Sequence, residues 1–156
     1  MSNGLLDEAL QREHREIDAG LELFVAGLAE GETRTDPLMK ATEALRRHIY
    51  LEEELLFPSL RGGMVAPVFV MLRDHGQIWK AMDALEAQLG AGADGASLQA
   101  ACKELAAALE AHNLKEEQIV YSQADGALTP AESETLATFL ASGKMPEGWV
   151  CTRARA

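Results

Sequence analysis

Apolar residues recur along this chain at alternating three- and four-residue steps, the period of an amphipathic helix, and no strand-like alternation persists. Four long segments carry the pattern, at about 5–29, 37–57, 67–89 and 97–123. The breaks between them are polar or rich in glycine and proline: 31–36, 58–67 with Gly62-Gly63 inside, 90–95 and 125–129. Asp36-Pro37 reads as an N-cap followed by proline at the first helical position. Thr129-Pro130-Ala131-Glu132 reads as a capping box that opens a shorter fifth helix running to about Ser142. Long helices joined by short connections pack as antiparallel neighbours. The expected fold is therefore all-α: an up-down-up-down four-helix bundle with a short fifth C-terminal helix. It forms a single domain over 1–156, with the bundle at about 5–123 and the C-terminal helix and tail at about 129–156.

The helical stripes are not purely apolar. Leu10, His14, Ile17, Leu21 and Phe24 line the first helix, and Leu45, His48, Glu52 and Leu55 the second. Met71, His75, Ile78 and Met82 line the third, and Leu109, His112, Glu116 and Ile119 the fourth. The chain has four histidines, one per long helix, and each falls on a core-facing stripe. His48 and His112 are each followed four residues later by a glutamate on the same face, ~6 Å along the axis. In an antiparallel bundle all six residues fall in one layer, roughly 8–16 Å from one end at the helical rise.

Imidazole nitrogens and carboxylate oxygens suit iron, manganese or zinc, and a carboxylate can bridge two metals while neutralising their charge. Buried glutamates without a cation would have to protonate or find another partner. His14, His48, Glu52, His75, His112 and Glu116 are thus candidate metal ligands. The adjacent Glu53, Glu54 and Glu117 are expected to face solvent.

Composition supports a helical core: 47% of residues are apolar and aromatics are few. The net charge of −11 argues against nucleic acid or an anionic membrane as main partner. The longest nearly apolar run, Met64–Leu72, is far short of a membrane span and contains Pro67. Met1–Glu8 carries no basic cluster followed by an apolar stretch, so no signal peptide is expected and the location is cytoplasmic, with reduced thiols. The two cysteines form no metal-binding spacing; Cys102 falls on a core stripe, and Cys151 lies in a polar tail where it could react.

In these residues and their order the chain resembles the hemerythrin-like HHE domains, four-helix bundles that carry a non-heme di-iron centre. The resemblance rests on His14, on His48-Ile-Tyr-Leu-Glu52-Glu-Glu-Leu-Leu-Phe-Pro58, on Asp74-His75-Gly76 and on His112-Asn-Leu-Lys-Glu116-Glu, and covers about residues 5–123. It implies two iron ions, with the four histidines as terminal ligands and Glu52 and Glu116 bridging. The oxygen-carrying hemerythrins have a further histidine one turn beyond that of the third helix; here that position is Trp79. One imidazole fewer leaves open or water-filled positions, which weakens reversible oxygen carriage more than it weakens metal binding. Asp18 or Glu13 could contribute in its place.

The expected function is metal-dependent binding of a small ligand such as oxygen, nitric oxide or peroxide, in sensing or in protection against oxidative or nitrosative stress. Iron storage, delivery or iron-centre repair is the alternative. A ferritin-like oxidase fits least, because the Glu-x-x-His pairs of such bundles are absent: Gln11, Leu45, Leu72 and Leu109 stand there instead. The expected partner is that diatomic ligand or peroxide, with neither nucleic acid nor membrane, and the chain would act as a monomer or homodimer. Trp79, Tyr50 and Tyr121 are the aromatics that could serve redox chemistry nearby; packing accounts for Trp79, and Tyr50 falls off the His48 face. The fifth helix, through Leu136, Phe139 and Leu140, would fold over the ligand-bearing end.

Overall fold

A computed structural model describes residues 4–60 and 62–155. Residues 1–3, 61 and 156, which fall in the amino-terminal stretch, the second break and the tail, lie outside the described residues. Helices make up the fold: α1 (Leu5–Ala29), α2 (Thr35–Leu51), α3 (Val65–Gly90), α4 (Gly95–Lys115), α5 (Tyr121–Ala127) and α6 (Pro130–Ser142). No strand occurs among the described residues.

α1 spans the expected segment, and Thr129 and Glu132 form the anticipated capping box of α6. α2 begins at Thr35, ahead of Asp36-Pro37, so Asp36 sits inside the first turn instead of capping it. Pro58 does not end the second helix; a short 3-10 turn carries the chain through it to Leu60. α3 likewise begins ahead of Pro67, which occupies the first turn, where its missing N–H costs no intrahelical bond.

The larger departure concerns helix type. α2 passes into a π-helical turn at Glu52–Leu56, and α4 passes into another at Glu116–Val120 before α5 continues. A π turn closes through i→i+5 bonds and inserts one extra residue, so the buried face shifts by one position. This explains why Leu56 and Phe57 are buried where a regular helix would bury Leu55. It also explains why Val120 and Tyr121 are buried while Ile119 is about half exposed.

α1 packs on α2 and α4, α3 packs on α4, and α2 touches α3. Gly20 permits the close α1–α2 approach, since a Cβ there would meet that of Ala41 at 2.8 Å. The core divides into two apolar clusters. One gathers Ile17, Leu21, Phe24, Leu45, Ile78, Met82, Leu105 and Leu109. The other gathers Leu6, Leu10, Leu51, Leu56, Met71, Val120 and Leu136. Each such enclosed side chain contributes about 1.5–3 kcal/mol. Every histidine lies where its helix crosses between the clusters: His14 between Leu10 and Ile17, and His75 between Met71 and Ile78. Leu136 of α6 is buried in the second cluster with Phe139 and Leu140 packed against it, as expected of the fifth helix.

The tail beyond α6 returns to the bundle. A 3-10 turn at Thr152–Ala154 packs on α3, where Gly76 admits it: a Cβ there would meet Arg153 Cβ at 2.6 Å. Cys151 is therefore no reactive group in a polar tail. It is fully buried, and burial together with the nearby Glu53 pushes its thiol up to about 11.

Candidate metal centre

The π turns begin at the two glutamates that follow His48 and His112, and both glutamates are completely buried. With the four histidines they form two groups that share them. His14, His48, Glu52 and Glu116 make one group, and Glu52, His75, His112 and Glu116 the other, each with donor atoms within 4.8 Å of one another. Each carboxylate divides its oxygens between the groups. Glu52 Oε2 lies 3.2 Å from His48 Nε2, while its Oε1 lies 3.0 Å from His75 Nε2. Glu116 Oε1 lies 3.1 Å from His14 Nε2, while its Oε2 lies 3.2 Å from His112 Nε2. The six residues singled out from the stripes thus meet in one layer.

The outer nitrogen of each histidine meets an acid from the neighbouring helix. His14 Nδ1 lies 2.7 Å from Glu117 Oε2, His48 Nδ1 2.7 Å from Glu13 Oε1, His75 Nδ1 2.7 Å from Glu53 Oε2, and His112 Nδ1 3.1 Å from Asp74 Oδ2. The pattern closes on itself. The acid beside the inward-facing residue of α1 serves α2, that of the α2 extension serves α3, that of α3 serves α4, and that of the α4 extension serves α1. An acid accepting from Nδ1–H fixes the tautomer that leaves Nε2 as an inward-facing lone pair.

These acids correct the expectation of solvated flanking carboxylates. Glu53 is buried and also accepts from Thr152 N and Oγ1, both at 2.9 Å. Glu117 is partly exposed but bonded to His14. Only Glu54 behaves as expected, half exposed and accepting from Trp149 Nε1. Glu13 is tied to His48 and to Arg47 Nη1 at 2.9 Å, so it stands behind an imidazole and outside both groups. Asp18 joins neither group; it borders a groove with Leu21, Val25 and Cys102. Lys115 Nζ donates to Asp74 at 2.7 Å and completes the surroundings of His112.

The aromatics separate cleanly. Trp79 is core, with Arg46 stacked 5.2 Å from its ring, and Tyr50 packs on Phe139 and Trp149. Tyr121 is different: its hydroxyl reaches the inner atoms of the first group. The helical stripe could not show this, because a five-residue step from Glu116 faces inward only in a π turn.

The donor set fits a cation. His14 Nε2 and His48 Nε2 face each other at 3.1 Å, with the single Tyr121 proton to share among them and two carboxylates. Glu116 Oε2 is buried without a hydrogen-bond partner. Without metal the acids draw protons onto the imidazoles. Burial pulls the His48 and His75 pKa values down, but Glu52 with Glu13 and with Glu53 respectively outweighs it and raises both. Burial opposes ionisation of Glu116 too, yet His112 and His14 hold its carboxyl well below the usual range. A cation offers what those protons offer, in larger measure.

A helical bundle whose interior gathers histidines and glutamates into cation-binding groups defines a recognisable class. The family model for the hemerythrin HHE cation binding domain matches residues 5–124, and the chain belongs to that family. No curated protein and no solved structure matches it. Among the described residues, no helix is long and apolar enough to cross a membrane.

Proposed function

We propose that this chain holds two iron ions through His14, His48, Glu52, His75, His112 and Glu116, and that the pair binds a small ligand such as oxygen, nitric oxide or peroxide. The carrying observation is the division of both buried glutamates between two histidine pairs, which suits two cations bridged by two carboxylates. Nitrogen and oxygen donors favour iron, with manganese or zinc as competitors. Bound there, iron supplies open positions to the ligand and redox chemistry.

The chain's own residues do the rest. Glu117, Glu13, Glu53 and Asp74 hold the imidazoles with Nε2 inward, Glu52 and Glu116 balance the cations' charge, and the two apolar clusters exclude water. The reading takes the chain as one cytoplasmic domain whose four long helices run up-down-up-down, acting as monomer or homodimer in sensing or in oxidative or nitrosative protection. Short connections and the shared level of the histidines support that topology. The enclosed, doubly anchored site favours ligand chemistry over iron delivery. Iron-loaded protein should take up about two irons per chain, absorb in the visible in air, and change its spectrum with nitric oxide. A silent spectrum that nitric oxide leaves unaltered would sink the reading.

A further inference from the structure

At the far end of the second π turn, five residues beyond Glu116, the phenol of Tyr121 enters the polar layer. Its Oη lies 2.9 Å from His48 Nε2, 2.9 Å from His14 Nε2 and 2.8 Å from Glu116 Oε1, and it also contacts Glu52 Oε2. Those four atoms are one donor from each member of the first group. Three of the spacings between them are 3.1, 3.2 and 3.1 Å. Donors sharing one cation at ~2.1 Å in adjacent positions stand ~3 Å apart. Oη therefore keeps about the spacing of an adjacent donor from His14, His48 and Glu116 and stands closer still to Glu52, which is the place of a fifth ligand.

The matching position of the first π turn supplies the contrast. Phe57 lies five residues beyond Glu52, stacks on His75 with ring centroids 5.6 Å apart, and has no oxygen to offer. The geometry points to Tyr121 Oη as a direct donor to the cation held by His14 and His48, a role that rests on the metal reading above. On binding, the phenol O–H bond breaks, its proton leaves to solvent, and the oxygen lone pair goes to the cation; no electron is transferred. The centre is then unequal. The first cation has His14, His48, Glu52, Glu116 and Tyr121, whereas the second has only His75, His112, Glu52 and Glu116. Positions for an incoming ligand concentrate on the second, where a groove of about 210 Å³ between α3 and α4 reaches His112.

The test uses the full chain loaded with ferrous iron and oxidised in air. A phenolate-to-iron(III) charge-transfer band is expected in the visible, with tyrosine ring modes in the resonance Raman spectrum that shift when the protein carries ring-deuterated tyrosine. The chain has two tyrosines, so Tyr50→Phe should keep the band and Tyr121→Phe should lose it while still binding iron. The labelled wild-type measurement stands even where Tyr121→Phe fails to fold. Iron bound without phenolate modes would overturn the role of Tyr121 and leave the metal reading intact. Failure to bind iron at all would overturn both.

Discussion

Glu53 links His75 to the end of the chain: its Oε2 lies 2.7 Å from His75 Nδ1, while its Oε1 accepts from the backbone and hydroxyl of Thr152. A side chain adjacent in sequence to one inward-facing residue thereby orients another on a different helix. Glu53→Ala should leave the six inner residues in place yet weaken metal binding about 10–100-fold, the usual cost of removing such a support. Competition with a chelator of known affinity measures it, and wild-type affinity in the variant would deny Glu53 this part.

The margin by which metal stabilises the protein should widen as pH rises. Burial pulls the His112 pKa down, but Glu116 and Asp74 outweigh it and push it up to about 10. A group raised in the folded state contributes stability that is complete below its unfolded value of ~6.5 and is lost as pH rises through the folded one. Glu116, held low, contributes above the ordinary carboxylate range and loses that contribution in acid. The chelated protein should therefore melt highest between ~pH 5 and 6.5 and progressively lower toward ~pH 10. The metal-loaded protein should gain over it across the same interval, as protons cease to compete. Melts with and without chelator across this range check both slopes.

The six inner residues were legible because their helices are regular up to the glutamate that opens each π turn. A four-residue step keeps His48 with Glu52 and His112 with Glu116 on one face, and the level along a helix can be counted. What escaped lies where those rules change. Asp74, Glu53 and Glu117 sit one residue from an inward-facing side chain, ~100° around the helix, where a stripe predicts solvent but a neighbouring helix stands. Glu13, named as a possible extra ligand, stands in the same relation to His14 and supports His48 instead. Tyr121 was hidden by the π turn, and Cys151 by the return of a tail that has no periodicity to read.

α6 is tied to the centre through Arg47, which donates to Glu13, to Leu140 O at 3.1 Å and to Gly143 O at 2.9 Å. Leu136→Ala should cost about 2–5 kcal/mol of stability. Truncation after Asp125, which removes α6 altogether, should speed metal loss to a chelator and oxidation in air. Unchanged rates in the truncated chain would show that α6 does not shield the metals.

Gly76→Ala should displace Arg153, for which an added Cβ leaves no room. The tail would then lift from α3 and expose Cys151. Alkylation under native conditions should label Cys151 faster than in the wild type, while Cys102, enclosed in the bundle core, stays protected. Equal labelling of Cys151 in the two proteins would mean that the tail tolerates the methyl group.

The closed circuit of acids and imidazoles has a consequence for how such a chain can vary. Each helix carries a histidine whose orienting acid belongs to its neighbour, and an acid whose histidine belongs to the next. A helix transplanted alone from a bundle whose orienting acids stand elsewhere would bring the right inner residues and still leave two mismatched seams. The smallest portable part is therefore the full circuit of four, and single-helix chimeras should fail at the joins before they fail at the metals.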